Sequence, residues 1–213
     1  MDTRSLRLPG AASGRWVAIL AGLVLVAPVV AIAVRQPDRE PSTCGPTAVA
    51  GAQPSRDGAV VAAARYATLL AELFALSPDD ARRVVGDVAS EASRPALSAA
   101  VDVELTPLQR QAAKLPGTTV FRQSVLATRV GSYTASHARV TVWVLQVMAQ
   151  AGQPANPVAS FSLVTVDMLW ERQGWRLDRP EERDGPAPLL SGRPASADEL
   201  EASLRGFDEW RPR

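Results

Sequence analysis

Apolar residues along the chain fall into successive regimes: an unbroken run, then a spacing of three and four, then alternation. The unbroken run is Trp16 to Val34, WVAILAGLVLVAPVVAIAV, with no charge in it. About 20 apolar residues cross a bilayer as a helix, so 16–34 is predicted to be a transmembrane helix. Arg4, Arg7 and Arg15 lie in the arm 1–15 before it, which by the positive-inside bias puts that arm in the cytoplasm and the rest of the chain outside the cell membrane. Trp16 suits an interfacial anchor, and Pro28 is tolerable in a spanning helix. The rival reading is a signal peptide, with Ala31-Ile32-Ala33 as an A-x-A cleavage pattern and a secreted product cut near Ala33. The apolar run passes straight through that site, which favours the uncleaved single-pass anchor.

Residues 35–57 are rich in proline, glycine and small polar side chains and read as an extended linker. A folded domain is expected over 58–180. From Ala59 to Leu76 the apolar spacing is helical, with Val61, Leu69, Leu73 and Leu76 near one stripe and Tyr66, Leu70 and Phe74 widening it. Ser77-Pro78-Asp79-Asp80 starts a new helix, with an N-cap serine, proline at the first helical position and carboxylates near the positive helix end. Ser93 before Pro95 and Thr106 before Pro107 predict two further short helices, up to about Leu115.

After Pro116-Gly117 the period becomes two. Thr118 to Val130 is rich in β-branched residues, and Gly131-Ser132 offers a turn. Next, Val140, Val142, Val144 and Met148 fall on one face of a strand, and Trp143, Leu145 and Val147 on the other. SFSLVTVDMLWER follows, and LWERQGWRL, Leu169 to Leu177, turns the chain back. A two-residue turn at Gln173-Gly174, or a four-residue loop from Glu171 to Gly174, puts Trp170 and Trp175 on one face with Val164, Val166, Met168 and Leu177. If the domain holds a pocket, Trp170, Trp175, Val166 and Met168 are its candidate walls. The expected class is α+β: helices packed on one face of a curved antiparallel sheet of about four strands.

Past Leu177 the sequence DRPEERDGPAPLLSGRP reads as irregular, giving a linker over 181–195. Ser196 and Glu199 then form a capping box that opens an amphipathic helix over 196–210, with Leu200, Leu204, Phe207 and Trp210 at helical spacing. So short a helix is unstable alone in water and must dock, on its own domain or on a partner protein. Those four residues are the candidate partner-docking face.

Composition removes several function classes. The chain has 213 residues, 46% hydrophobic, 21% charged and 5% aromatic, room for one domain with appendages. Taking Arg4, Arg7, Arg15 and Asp2 from the 23 basic and 22 acidic residues leaves 20 against 21, so no nucleic-acid surface is expected. A single cysteine, Cys44, and a single histidine, His137, supply neither a disulfide framework nor a zinc set. No G-x-x-x-x-G-K loop and no G-x-G-x-x-G fingerprint occurs, and no cofactor is expected.

Catalytic candidates are few. His137 lies where a strand begins and reads as an edge or turn residue. Asp167, inside VTVDMLW, is the most interesting carboxylate, since burial raises a carboxyl pKa and suits it to general base work. Alternation with Val166 and Met168 puts it instead on the face away from the tryptophans, as an exposed or arginine-paired acid. Asp79-Asp80 and Glu181-Glu182 read as helix-start and loop charges.

An arginine-bearing arm, one apolar segment, a proline-rich spacer and a helices-then-sheet domain ending in WERQGWRL, Trp170 to Leu177, resemble a known group. They are similar to membrane-anchored proteins whose extracytoplasmic domain has the nuclear transport factor two-like, cystatin-like cone fold. Two branches resemble the chain: conjugative-transfer and type IV secretion scaffold proteins of the Gram-positive kind, and proteins associated with lipid-import operons. The likeness covers about Gly58 to Pro180. The first branch implies a non-enzymatic scaffold that contacts other envelope-complex proteins, with self-association left open, and the second implies a binder or sensor of a small apolar ligand. An enzyme centred on Asp167 is the third and least favoured reading.

Overall fold

In the computed structural model, residues 54–151, 157–187 and 196–210 are described. The expected membrane segment 16–34, Cys44 and most of the two expected linkers lie outside them, and no described helix is long and apolar enough to cross a membrane. Five helices, α1 (Arg56–Ala67), α2 (Leu69–Phe74), α3 (Pro78–Val88), α4 (Arg94–Ala100) and α5 (Thr106–Ala112), precede four long strands. Those strands are β1 (Thr118–Tyr133), β2 (His137–Ala151), β3 (Val158–Glu171) and β4 (Gly174–Asp184). A short helix, α6 (Ala197–Ser203), and a two-residue strand, β5 (Asp208–Glu209), close the described chain.

The helix expected over Ala59–Leu76 is two helices. Thr68 leaves helical geometry at φ −107°, ψ 4°, and its hydroxyl donates back to the carbonyls of Ala64 and Arg65 at 3.3 and 3.2 Å. A threonine that bonds its own preceding turn offers the backbone an alternative to the ladder, and the chain bends there. The expected start at Ser77 forms, its side chain accepting from the Asp80 amide, while Ser93 makes no capping bond and Thr106 already lies inside α5. Ser55, not singled out from the sequence, caps α1 by accepting from the Gly58 amide.

The strands form one antiparallel sheet in the order β4-β3-β2-β1-β5. Val140, Val142, Val144, Val164 and Val166 line its inner face and are buried against the helices, together with Met168, Trp175 and Leu177. The core adds Ala59, Ala62, Ala63 and Tyr66 from α1, Leu69 and Leu73 from α2, and Ala81, Val85 and Val88 from α3. Alanines on α1 allow the helix to approach the sheet closely.

Three ladder details differ from expectation. β1 continues through Gly131-Ser132 to Tyr133, and a bulge near Gly131 takes the place of the expected turn. The hairpin to β2 turns at Thr134–Ser136, where the Thr134 amide donates to the His137 carbonyl at 2.8 Å. β4 runs on to Asp184, so the stretch after Leu177 is strand where an irregular segment was expected. Pro180 fits there because β4 ends the sheet and a missing N–H on an edge strand breaks no ladder bond.

Candidate functional site

The tryptophan hairpin has the expected facing and a different turn. Trp170 pairs with Trp175 and Glu171 with Gly174, leaving Arg172 and Gln173 as the two turn residues at φ 51° and 60°. This is the register of the expected Glu171–Gly174 loop, tightened into a two-residue turn; a turn at Gln173-Gly174 is not what forms. Both indoles sit on the inner face with ring centroids 5.4 Å apart, edge to face, and Tyr133 stands 6.1 Å from Trp175. Trp175 is fully buried, and its carbonyl accepts a 2.6 Å bond from the Tyr66 hydroxyl. Burial pushes the Tyr66 pKa up, against the opposing pull of Arg176 and Arg65.

Asp167 lies on the outer face, opposite Arg139 of β2 and Arg179 of β4. The Arg139 guanidinium reaches Asp167 at 3.4 Å and Glu181 at 3.1 Å, holding two carboxylates on neighbouring strands. Burial raises the Asp167 pKa, and Arg139 opposes that rise. One residue away in register, Asp178 is the extra residue of a bulge in β4, which turns it back toward the helices. There it accepts from Ser90 and Ser93 at 2.8 and 2.7 Å. His137 is exposed at the first position of β2, its Nδ1 2.9 Å from the Ser136 hydroxyl. Neither His137 nor Asp167 lines the cavity described next.

Between the helices and the sheet lies a pocket of about 260 Å³. Its walls include Leu69, Leu70 and Leu73 of α2, Leu97 of α4, Leu108 of α5, and Val164 and Leu177 of the sheet. Trp170, Trp175, Val166 and Met168 are not among its lining residues; they pack the neighbouring part of the inner face. Three polar clamps hold the walls. Gln109 of α5 donates its amide to the carbonyls of Phe74 and Leu76 at 3.0 and 2.9 Å, tying α5 to the end of α2. Gln123 of β1 accepts from the Ala71 amide at 2.9 Å, which satisfies an orphan donor in the first turn of α2. Arg82 of α3 bonds Asp102, fixing α3 to the far wall.

That wall contains a π-helical turn, Val101–Leu105, between α4 and α5. Such turns are rare and occur frequently at functional sites. Here Val101 and Leu105 point into the core, Glu104 lines the pocket, and Val103 is 72% exposed at the rim. The sequence reading missed this wall, although Leu97, Val101, Leu105 and Leu108 carry a helical spacing that gives the signal.

The C-terminal segment docks on its own sheet. The capping box forms, with the Glu199 amide donating to the Ser196 hydroxyl and Glu199 accepting from the Ser196 amide. The helix stops at Ser203, shorter than the expected 196–210, because Gly206 turns left-handed at φ 79°. Leu200 and Leu204 are half-buried, Phe207 lies beneath the Arg129 guanidinium at 4.7 Å, and the Trp210 amide donates to Leu126 at 3.3 Å. Asp208 and Glu209 pair with Thr128 and Ala127 of β1.

No family model matches the chain, and no curated protein does. Among the solved structures similar to it are two at low identity, and such likeness transfers no function. One is CagV, a VirB8 homolog of T4SS from Helicobacter pylori strain 26695: 12% identity over 60% of this chain and 99% of that one, TM-score 0.44. The other is the intermembrane space region of the chloroplast protein ARC6: 15% identity over 57% of this chain and 97% of that one, TM-score 0.32.

Proposed function

We propose that this is a non-enzymatic single-pass membrane protein whose exported domain is an interaction module in a cell-envelope complex serving conjugative transfer or secretion. The observation that carries it is the linear order of the chain: arginine-bearing arm, uncharged Trp16 to Val34, proline-rich spacer, folded domain. An extended spacer lifts a domain off the bilayer, where it meets other subunits while staying tethered. The test is in-cell crosslinking of the tagged full chain at its native level, followed by native electrophoresis of the membranes. A high-mass species containing other envelope proteins is expected. A free monomer in intact membranes sinks the reading.

A second reading, an extracytoplasmic binder of a small apolar ligand, is favoured by the pocket of about 260 Å³ with its aliphatic walls. Native mass spectrometry of the full chain released from nanodiscs tests it, with a copurifying apolar molecule expected.

A further inference from the structure

The pocket is apolar on its walls and acidic in its polar lining. Besides the aliphatic residues it is lined by Glu104, Glu182, Gln111, Gln123 and Tyr66, and no lysine or arginine is among the lining residues. Three of these are already engaged: Glu182 accepts from Gln146 at 2.7 Å, Gln123 from the Ala71 amide, and Tyr66 donates to Trp175. Glu104 has no hydrogen bond or ion pair among the described residues, although it is half-buried and sits on the π-helical turn beside the exposed Val103. A carboxylate withdrawn from water without a partner is costly unless something completes it. Burial alone displaces its pKa, upward, with no neighbouring cation pulling it back.

We propose that this pocket takes a small amphiphile with an apolar body and a cationic head, such as a primary alkylammonium, which Glu104 receives at the rim. The proposal rests on the ligand-binding reading above and gives it a charge. The walls set the size: a dry cavity of about 150 Å³ holds a benzene ring, so this one takes a body of roughly eight carbons. The lining sets the sign. A fatty acid would bring a further carboxylate beside Glu104 and Glu182, where like charges repel. An ammonium instead gives Glu104 the partner it lacks, through a charge-assisted hydrogen bond. A neutral alcohol fills the walls and leaves Glu104 without a counter-charge.

The test uses the full chain in lipid nanodiscs, titrated calorimetrically with octylamine, octanol and octanoate, with uptake by empty nanodiscs subtracted. Octylamine should bind about tenfold tighter than octanol, a ratio typical of one hydrogen bond to a charged group, and octanoate should bind weakest. Glu104→Gln should bring octylamine to the octanol level and leave octanol unchanged. Ala100→Trp fills the pocket and should abolish all three; Leu97→Trp is the substitute if circular dichroism shows the first variant unfolded. If octanol binds and is blocked by the filled pocket but octylamine has no advantage, the charge assignment is overturned while the apolar-ligand reading survives. If octanoate binds best, the assignment is likewise overturned. If none of the three binds, both fall.

Discussion

The Tyr66 hydroxyl of α1 donates to the Trp175 carbonyl of β4 across 2.6 Å, joining residues 109 positions apart inside the core. β4 is the last strand of the sheet, and its Leu177 carbonyl is likewise met from the helical layer, by the Ser90 amide at 2.7 Å. The first helix and the last long strand are thereby fastened edge to layer.

Removing the hydroxyl should therefore destabilise the domain with little change of packing. Tyr66→Phe leaves a buried carbonyl unpaired, and the loss is expected at about 1–3 kcal/mol, read as a lowered urea midpoint at unchanged slope. A variant with wild-type stability would mean that the bond adds nothing.

The hairpin turn predicts a gain. Arg172 and Gln173 hold left-handed backbone at φ 51° and 60°, where residues other than glycine, asparagine and aspartate are strained. Gln173→Gly relieves the second position and should raise stability by about 1 kcal/mol, with Arg172→Asn adding less. Thermal melts of the single and double variants check the order.

Gly185 follows β4 where a side chain has no room. A Cβ there would stand 2.9 Å from the Ser162 carbonyl carbon and 3.1 Å from its nitrogen, both backbone atoms of β3. Gly185→Ala should cost about 1–3 kcal/mol by forcing the two segments apart. Hydrogen exchange at the Gly185 amide, which donates to Phe161 at 2.8 Å, should speed up for the same reason in a Gly185→Ser variant.

Glu104 predicts a pH dependence. Its folded pKa is raised above the unfolded value by burial, so its favourable contribution is complete below the unfolded pKa and is lost as pH rises through the folded one. Above the folded pKa the charged group opposes folding. Glu104→Gln should gain stability relative to wild type between acid and neutral pH. Paired unfolding curves at acid and neutral pH read this directly, and a gap that stays flat or shrinks would contradict it.

What the sequence disclosed depended on whether a period fixed the answer. Alternation is strict from Val140 to Val144 and from Val164 to Met168, so the buried face and the shared side of Trp170 and Trp175 could be read from it. Asp167 fell on the opposite face by the same rule, and it pairs with Arg139 there. Breaks in period were not legible. Thr68 ends α1 through its own hydroxyl, and Asp178 is an extra residue in β4 that no alternation announces. β4 past Leu177 is charged at almost every position and none of those residues is fully buried, so it carries no apolar alternation and reads as loop. The pocket was missed because three short elements build its wall, each too brief to show an apolar stripe alone.

The two residues of β5 have a protective consequence. An outermost strand with open amides and carbonyls is a template on which a stray extended segment from another molecule can assemble. Asp208 and Glu209, both exposed acidic residues, occupy that template at Thr128 and Ala127. Shortening the chain to Gly206 would uncover it, and the product should be a protein that folds yet clumps on standing.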